Sequence, residues 1–272
     1  MTLIFILITC FFSNQTFAMN SQILQQRSFK DYSVTVKWIE ALDSQKLTIT
    51  KKAKVIYSDG EAGSYYWIGN HFDDSLKGSD PHSGKDLTGN GVHDLIITKW
   101  NGGAHCCNFL SVFEMSELGL KKIITIDGGS NGFEIKDLES DRIPEIAFWD
   151  WPIDYQFNCF ADSAQGKVVL KFIDGSYHVA SSLMYTRRPT NELFGKLKDE
   201  IRKSFKGMGD QVPYELLDLM MKLSYSGYKE LAIKTADETW PKEKKGFEKF
   251  RSEFKEALSD SIYWSEFNLG KY

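Results

Sequence analysis

The sequence predicts an α+β protein, with a β-rich N-terminal domain over residues 19–188 and a small α-helical domain over residues 190–272. Before Arg188-Pro189, short β-prone runs alternate with turn residues, and after Thr190 the apolar residues recur at helical spacing. A chain of 272 residues with 42% hydrophobic residues is long enough to bury a core in each part. The net charge is mild, at −4. The excess of acidic over basic residues lies entirely before Thr190, so this part of the chain would favour a bound cation.

The first eighteen residues predict a secretory signal peptide. An apolar stretch over residues 3–12 is followed by polar residues and then by Thr16-Phe17-Ala18, which suits cleavage after Ala18. No later segment contains eighteen uninterrupted apolar residues, so no transmembrane segment is expected after cleavage. We therefore expect an exported protein, either periplasmic or secreted.

Short runs rich in branched and aromatic residues predict the strands of the first domain. The dipeptide Asp174-Gly175 separates the last two runs and predicts a tight hairpin, because it tolerates positive φ angles. The predicted strands cover residues 33–39, 47–50, 54–57, 95–98, 121–126, 147–149, 167–173 and 177–180.

Apolar spacing predicts four helices after Pro189-Thr190, the first of them capped by Thr190. The second is expected to begin near Pro213 and end near Gly227, and the third to end before Pro241. The apolar positions that mark the first, second and fourth helices are Leu193, Phe194, Leu197, Ile201 and Phe205; Leu216, Leu217, Leu219, Met220 and Leu223; and Phe247, Phe250, Phe254 and Leu258.

The segment 86–95 has the residue pattern of a cation-binding loop. Oxygen-bearing side chains stand at alternate positions, glycines occupy positions 89 and 91, and a β-prone run follows directly. Calcium takes six to eight oxygen ligands, including backbone carbonyls, and such a loop supplies them economically. The alternative is a polar turn whose carboxylates cap its own backbone amides. The predicted ligands are Asp86, Thr88, Asn90 and Asp94, with the carbonyl of Val92.

A second segment, 137–146, repeats this oxygen spacing about fifty residues later and also leads into a β-prone run. It departs from the first at Ser140 and at Arg142, which stands where the first loop has a glycine. A left-handed backbone is costly for arginine, and its charge opposes a bound cation. The predicted ligands are Asp137, Glu139, Asp141 and Glu145, with the carbonyl of Ile143.

These two loops resemble the calcium loops of FG-GAP (integrin-type) repeats, in which a D-x-[DNT]-x-[DN]-G-x-x-[DE] segment leads into a strand. The resemblance implies Ca²⁺ as a structural cofactor at the ligands just named. The spacing of the β-prone runs suits antiparallel strands in a sandwich, an open meander or part of a propeller. A full propeller is not expected, because only two loops are visible in roughly 170 residues.

The run Gly102-Gly103-Ala104-His105-Cys106-Cys107 is similar to a motif in uncharacterised exported bacterial proteins that carry the same loop upstream. Signal cleavage leaves Cys106, Cys107 and Cys159, an odd number in an oxidising compartment. One possibility is a disulfide from Cys159 to either neighbour, and another is a vicinal Cys106–Cys107 bridge.

Two further possibilities involve His105. A zinc or copper site would use His105, a cysteine and His82 or His93, but neighbouring strand residues point to opposite faces, which makes zinc unlikely. A reactive thiol with His105 as its base would make the protein a thiol- or metal-dependent enzyme. The sequence otherwise contains no recognised catalytic signature, so a non-enzymatic role is favoured.

Aromatic and acidic residues alternate just after the second loop and form a possible ligand strip, consistent with carbohydrate contact. A simpler interpretation is that these rings cover one end of the hydrophobic core. The balanced charge gives no indication of a nucleic-acid partner, so a protein or glycan partner is expected. The strip residues are Trp149, Asp150, Trp151, Asp154 and Tyr155.

Overall fold

A computed structural model describes residues 21–104 and 107–269, and in these residues twelve strands precede six α-helices. The α+β layout with a β-rich N-terminal part is therefore confirmed. The predicted signal peptide lies outside the described residues, and so do His105 and Cys106. The division of the chain near Arg188-Pro189 stays a prediction.

The strands form three antiparallel sheets, and each sheet contains four strands that are consecutive in the chain. The first sheet contains β1 (Ser21–Phe29), β2 (Tyr32–Ile39), β3 (Ser44–Lys51) and β4 (Lys54–Asp59). The second contains β5 (Tyr65–Ile68), β6 (Asp94–Trp100), β7 (Asn108–Met115) and β8 (Leu120–Asp127). The third contains β9 (Glu134–Lys136), β10 (Glu145–Asp150), β11 (Gly166–Ile173) and β12 (Ser176–Val179).

Each predicted β run coincides with a strand or lies largely within one. The Asp174-Gly175 hairpin is confirmed, because both residues have positive φ angles, 50° and 91°, and Ile173 pairs with Ser176. Four strands were not predicted: β1, β5, β7 and β9. The first of these is largely exposed and polar in sequence, so it shows no alternation of apolar and polar residues.

The second sheet is the central layer of the β-rich part. On β6, Leu95 and Ile97 pack with the first sheet, whereas Ile96 between them packs with the third. Alternate residues of a strand point to opposite faces, so a nearly continuous apolar run is what a strand buried on both faces requires.

The helices are α1 (Ser181–Met184), α2 (Asn191–Ser204), α3 (Tyr214–Ser224), α4 (Lys229–Thr239), α5 (Phe247–Asp260) and α6 (Ile262–Leu269). The four predicted helices correspond to α2 to α5. Thr190 caps α2 as expected, since its hydroxyl oxygen accepts the N–H of Leu193 at 3.3 Å. Helices α1 and α6 were not predicted.

The helices pack against the third sheet, and one hydrophobic cluster includes side chains of both. Phe148 on β10 meets Tyr263 on α6 edge to face, at 4.8 Å between ring centroids. Tyr225, at the end of α3, packs so closely on Gly166 of β11 that a Cβ there would lie 2.3 Å from its ring. The helical part thus shares its core with the third sheet.

Both predicted cation loops have the same place in their sheets. The last predicted ligand of the first loop, Asp94, is the first residue of β6, and that of the second loop, Glu145, is the first residue of β10. Each of these strands is the second in its sheet. The echo in the sequence therefore corresponds to a repeated position in the fold.

Candidate metal centre

The first loop is wrapped around the carboxylate of Asp86. Its oxygens accept the backbone N–H groups of Thr88, Gly89, Asn90 and Gly91, at 2.7–3.2 Å. Gly89 and Gly91 have φ angles of +72° and +82°. These lie in the left-handed region, where any residue with a side chain is strained. The positive φ angles of the two glycines agree with the prediction, and the hydrogen bonds of Asp86 are those of the alternative given above, a polar turn whose carboxylate caps its own backbone amides.

Asp94 closes this loop and is completely buried. Its Oδ2 accepts the N–H of Leu87 at 2.7 Å and the hydroxyl of Thr88 at 3.3 Å. Its other oxygen, Oδ1, is buried and has no hydrogen-bond partner among the described residues. Burial raises the pKa of Asp94 to about 6, and the nearby charges of Asp86 and Glu114 act in the same direction. A buried carboxylate oxygen without a donor is costly unless a cation meets it.

The second loop repeats these hydrogen bonds at corresponding positions. Asp137 accepts the N–H groups of Asp141 and Arg142, at 3.1 and 2.9 Å. Glu145 is buried, and its Oε2 accepts the N–H of Leu138 at 2.7 Å, as Asp94 accepts that of Leu87. Its Oε1 is also buried without a partner among the residues described. Burial raises the pKa of Glu145, as it does for Asp94.

The backbone of the second loop follows the first in spite of its different residues. Ser140 and Arg142 have φ angles of +62° and +75°, close to those of the two glycines. Ligand oxygens of Glu139, Asp141 and Glu145 all lie within 4.8 Å of one another. The departures at Ser140 and Arg142 therefore leave the shape of the loop unchanged.

The predicted carbonyl ligands occupy matching positions. Val92 donates its N–H to Asn90 Oδ1 at 2.8 Å, and Ile143 donates its N–H to Asp141 Oδ1 at 2.9 Å. These bonds fix the turn just before each closing acid. The roles of the Val92 and Ile143 carbonyls as ligands stay predictions.

Two charged residues that the sequence analysis missed distinguish the loops. Glu114 on β7 accepts a hydrogen bond from the side-chain amide of Asn90 at 2.6 Å. Lys171 on β11 makes ion pairs with Glu139 and with Asp141, the latter at 3.3 Å, and the hydrogen bond to Glu139 is the main reason why the pKa of Lys171 is raised. Both residues lie on a neighbouring strand, so the loop segments themselves gave no signal for them.

The two loops touch each other. A Cβ on Gly89 would lie 2.5 Å from Cδ1 of Ile143. Tyr177 on β12 is buried, and its hydroxyl oxygen has no hydrogen-bond partner in the described part of the chain. Burial raises the pKa of Tyr177, with further contributions from Asp94 and Glu145, so its hydroxyl lies within electrostatic reach of both closing acids. The candidate centre is therefore a pair of adjoining loops.

The donor chemistry fits calcium. Every predicted side-chain ligand in the two loops offers an oxygen, and each loop has a buried carboxylate oxygen without a partner among the residues described. Hard cations such as Ca²⁺ take oxygen ligands, whereas zinc prefers nitrogen and sulfur. In the described part of the chain, the acids of the second loop are the one cluster of three or more His, Cys, Asp and Glu side chains that could hold a metal. The carboxylates of Asp86, Asp94 and Glu114 do not converge in this way, so an ion in the first loop would also need Thr88 and Asn90.

The predicted ligand strip does not form one exposed surface. Tyr155 is exposed, but Asp150 is buried, where it accepts hydrogen bonds from the hydroxyls of Tyr225 and Ser261. Asp150 therefore belongs to the contact between the third sheet and the helices. Both carboxylate oxygens of Asp154 are buried and have no partner within the described residues.

The disulfide from Cys159 to Cys106 or Cys107, one of the possibilities that the sequence left open, is not formed. Cys159 is a free, exposed thiol. It lies just before a short 3-10 helix over Phe160–Asp162, and its Sγ donates to Asp162 Oδ2 at 3.5 Å. No disulfide joins two of the described residues. The vicinal bridge and the roles of His105 and Cys106 stay predictions.

The comparisons with protein-family models, with curated proteins and with solved structures found no match. Over the described ranges, none of the helices has the length and apolar character that crossing a bilayer demands.

Proposed function

We propose that this chain is an exported calcium-binding protein with a binding or structural role at the bacterial cell envelope, in the periplasm or outside the cell. The observation that carries the proposal is the buried Oδ1 of Asp94, which lacks a partner among the described residues at the closing position of an oxygen-lined loop. A divalent ion there would compensate for the desolvated charge.

Calcium in this proposal acts as a staple that fixes the loop 86–94 to the start of β6. Because Asp94 is the first residue of a strand in the central sheet, an ion bound to it links the loop to the core. With a dissociation constant of about 0.1 mM and about 1 mM free Ca²⁺, one site contributes about 1.4 kcal/mol of stability. This dissociation constant and this Ca²⁺ concentration are typical of extracellular calcium-binding modules.

Export follows in this proposal from the signal-like segment 1–18, and it gives the protein access to a calcium-rich compartment. The proposal includes no catalytic step, and it implies a protein or glycan partner. Replacement of the loop ligands should therefore reduce folding stability and partner binding together.

The direct test is thermal unfolding of the mature chain with 1 mM Ca²⁺ and with chelator. We expect Ca²⁺ to raise the melting temperature by about 3–6 °C, from the energy above and the usual scaling for chains of this size. The double variant Asp86→Ala, Asp94→Ala should show no calcium-dependent shift. Asp210→Asn, a change at an exposed acid in a loop of the helical part, is the control and should respond like the wild type. Equal melting temperatures with calcium and chelator in the wild type would contradict the proposal.

A further inference from the structure

The two loops differ in the charge of one residue at an equivalent position of the sheet. Asp94 pairs with Glu114 across β6 and β7. Across β10 and β11, Ile146 pairs with Leu170, so the next residues outward are Glu145 and Lys171. The residue opposite the closing acid is therefore an acid in the first loop and a lysine in the second.

Glu114 adds a carboxylate to the first loop. Its Oε2 accepts a hydrogen bond from Asn90, which is one of the predicted ligands. Together with Asp86 and Asp94, it makes three carboxylates. Lys121 on β8 stands opposite Glu114 in the strand register, but no lysine or arginine of the described residues forms an ion pair with any of the three. This arrangement concentrates negative charge where an external cation is needed.

Lys171 gives the second loop a cation of its own. Its ammonium group makes ion pairs with Glu139 and Asp141, two of the three acids whose ligand oxygens lie within 4.8 Å of one another. A bound Ca²⁺ would need these same oxygens, and the positive charges of the ion and the ammonium group would repel each other. Lysine and calcium therefore compete for this loop.

The buried Oε1 of Glu145 has no partner among the residues described even with Lys171 in place. The lysine thus neutralises the two exposed acids and leaves the buried acid available. Removal of the lysine charge would leave four carboxylates in this loop. Arg142 is the loop's other cation, but no ion pair joins its side chain to these acids among the described residues.

We propose that the residue opposite the closing acid sets the ion occupancy of each loop. Glu114 supports Ca²⁺ binding in the first loop, and Lys171 replaces Ca²⁺ in the second, so the wild-type chain binds one Ca²⁺. This inference rests on the proposed function, because it assumes that the first loop binds the ion.

The test is calorimetric titration of the mature chain with CaCl2 at neutral pH. We expect one ion per wild-type chain, none in Asp94→Ala, and two in Lys171→Met, which removes the charge and keeps most of the stem. The control Lys171→Arg keeps the charge and should bind one ion. The reciprocal variant Glu114→Lys should bind Ca²⁺ at least ten-fold more weakly than the wild type.

Circular dichroism in chelator shows whether each variant is folded before titration. If Lys171→Met is unfolded in chelator, recovery of its folded spectrum on adding CaCl2 supports the second site, provided that the double variant Lys171→Met/Glu145→Ala does not recover. A wild-type chain that binds two ions, or a folded Lys171→Met that binds only one, overturns this inference and leaves the proposed function standing. A wild-type chain that binds no calcium overturns both.

Discussion

At the scale of single residues, three acids have buried oxygens without a hydrogen-bond partner among the described residues. Two of them, Asp94 and Glu145, close oxygen-lined loops. The proposed ion accounts for the placement of Asp94, whereas the ion pairs of Lys171 are with Glu139 and Asp141 and leave the buried oxygen of Glu145 without a partner among the described residues. The third, Asp154, belongs to the predicted strip and lies just after the end of β10. Burial raises its pKa to about 6, and the negative charge of Asp150 adds to this effect.

Asp154 should make stability depend on pH. Because its pKa in the fold is above the ordinary value of 3.8, the folded state is favoured while the carboxyl is protonated and loses stability as pH rises through about 6. We expect Asp154→Asn, which cannot ionise, to be more stable than the wild type at pH 7.5. The difference should vanish near pH 4.

Urea unfolding at pH 4, 6 and 7.5, in the presence of chelator, measures this difference. The matched control is Asp174→Asn, because Asp174 is exposed in the β11–β12 turn and its left-handed backbone suits asparagine equally well. An Asp154→Asn variant that is less stable than the wild type at pH 7.5 would contradict the raised pKa of Asp154.

The residues that organise the backbone of each loop were predictable because all of them lie in one short segment. Asp86 and Asp137 organise the backbone through hydrogen bonds to residues two to five positions later, so local spacing carries the information. Glu114 and Lys171 were not predictable, because their places depend on which strand lies beside β6 and β10. Strand neighbours are set by the packing of the whole sheet and not by residues within the loop.

At the scale of elements, contact between the two loops means that a side chain added at Gly89 should destabilise the protein more than one added at Gly91. Both have positive φ angles, but a Cβ on Gly91 meets no atom within 4 Å, whereas one on Gly89 meets Ile143. Gly91→Ala should cost about 1 kcal/mol for backbone strain alone. Gly89→Ala should cost more, because the second loop must also move.

A double-mutant cycle with Ile143→Val separates the two effects, since valine lacks the Cδ1 atom that the new methyl group would meet. We expect Ile143→Val to recover part of the loss in Gly89→Ala and none of the loss in Gly91→Ala, as measured by chemical denaturation. Equal costs for the two glycine variants would show that the loops do not press on each other.

The elements that could be predicted are those with strong local signals. Thr190 begins α2, and Asp174-Gly175 turns the last hairpin, because each has a side chain or backbone preference suited to its position. Strand β1 could not be predicted, because its residues are largely exposed and its pairing with β2 supplies the structure. Its hydrogen bonds are made to a neighbour, and the sequence of β1 alone does not show them.

At the scale of the whole molecule, the helices and the third sheet are joined by a buried polar contact as well as by their common core. Asp150 on β10 accepts the hydroxyls of Tyr225, after α3, and Ser261, before α6, and the N–H of Trp151 at 3.0 Å. Burial raises the pKa of Asp150, and these donors oppose that rise. The sequence did not predict this contact, because its members are distant in the chain.

Tyr225→Phe should destabilise the protein by about 1.5–3 kcal/mol, the usual cost of losing a hydrogen bond to a charged group. Because the core is shared, we expect one cooperative transition in guanidinium, shifted to lower denaturant, by both tryptophan fluorescence and circular dichroism. The exposed Tyr155→Phe is the control and should change stability by less than about 0.5 kcal/mol. Two separate transitions in the wild type would contradict a shared core.

The central claim is that the buried Oδ1 of Asp94 is a calcium ligand. The most direct measurement is anomalous scattering from a crystal of the wild-type chain grown with millimolar CaCl2. We predict an anomalous peak about 2.3–2.6 Å from Asp94 Oδ1, the usual calcium–oxygen distance, and none beside Glu145. An ordered first loop without an anomalous peak near Asp94 Oδ1 would contradict the claim.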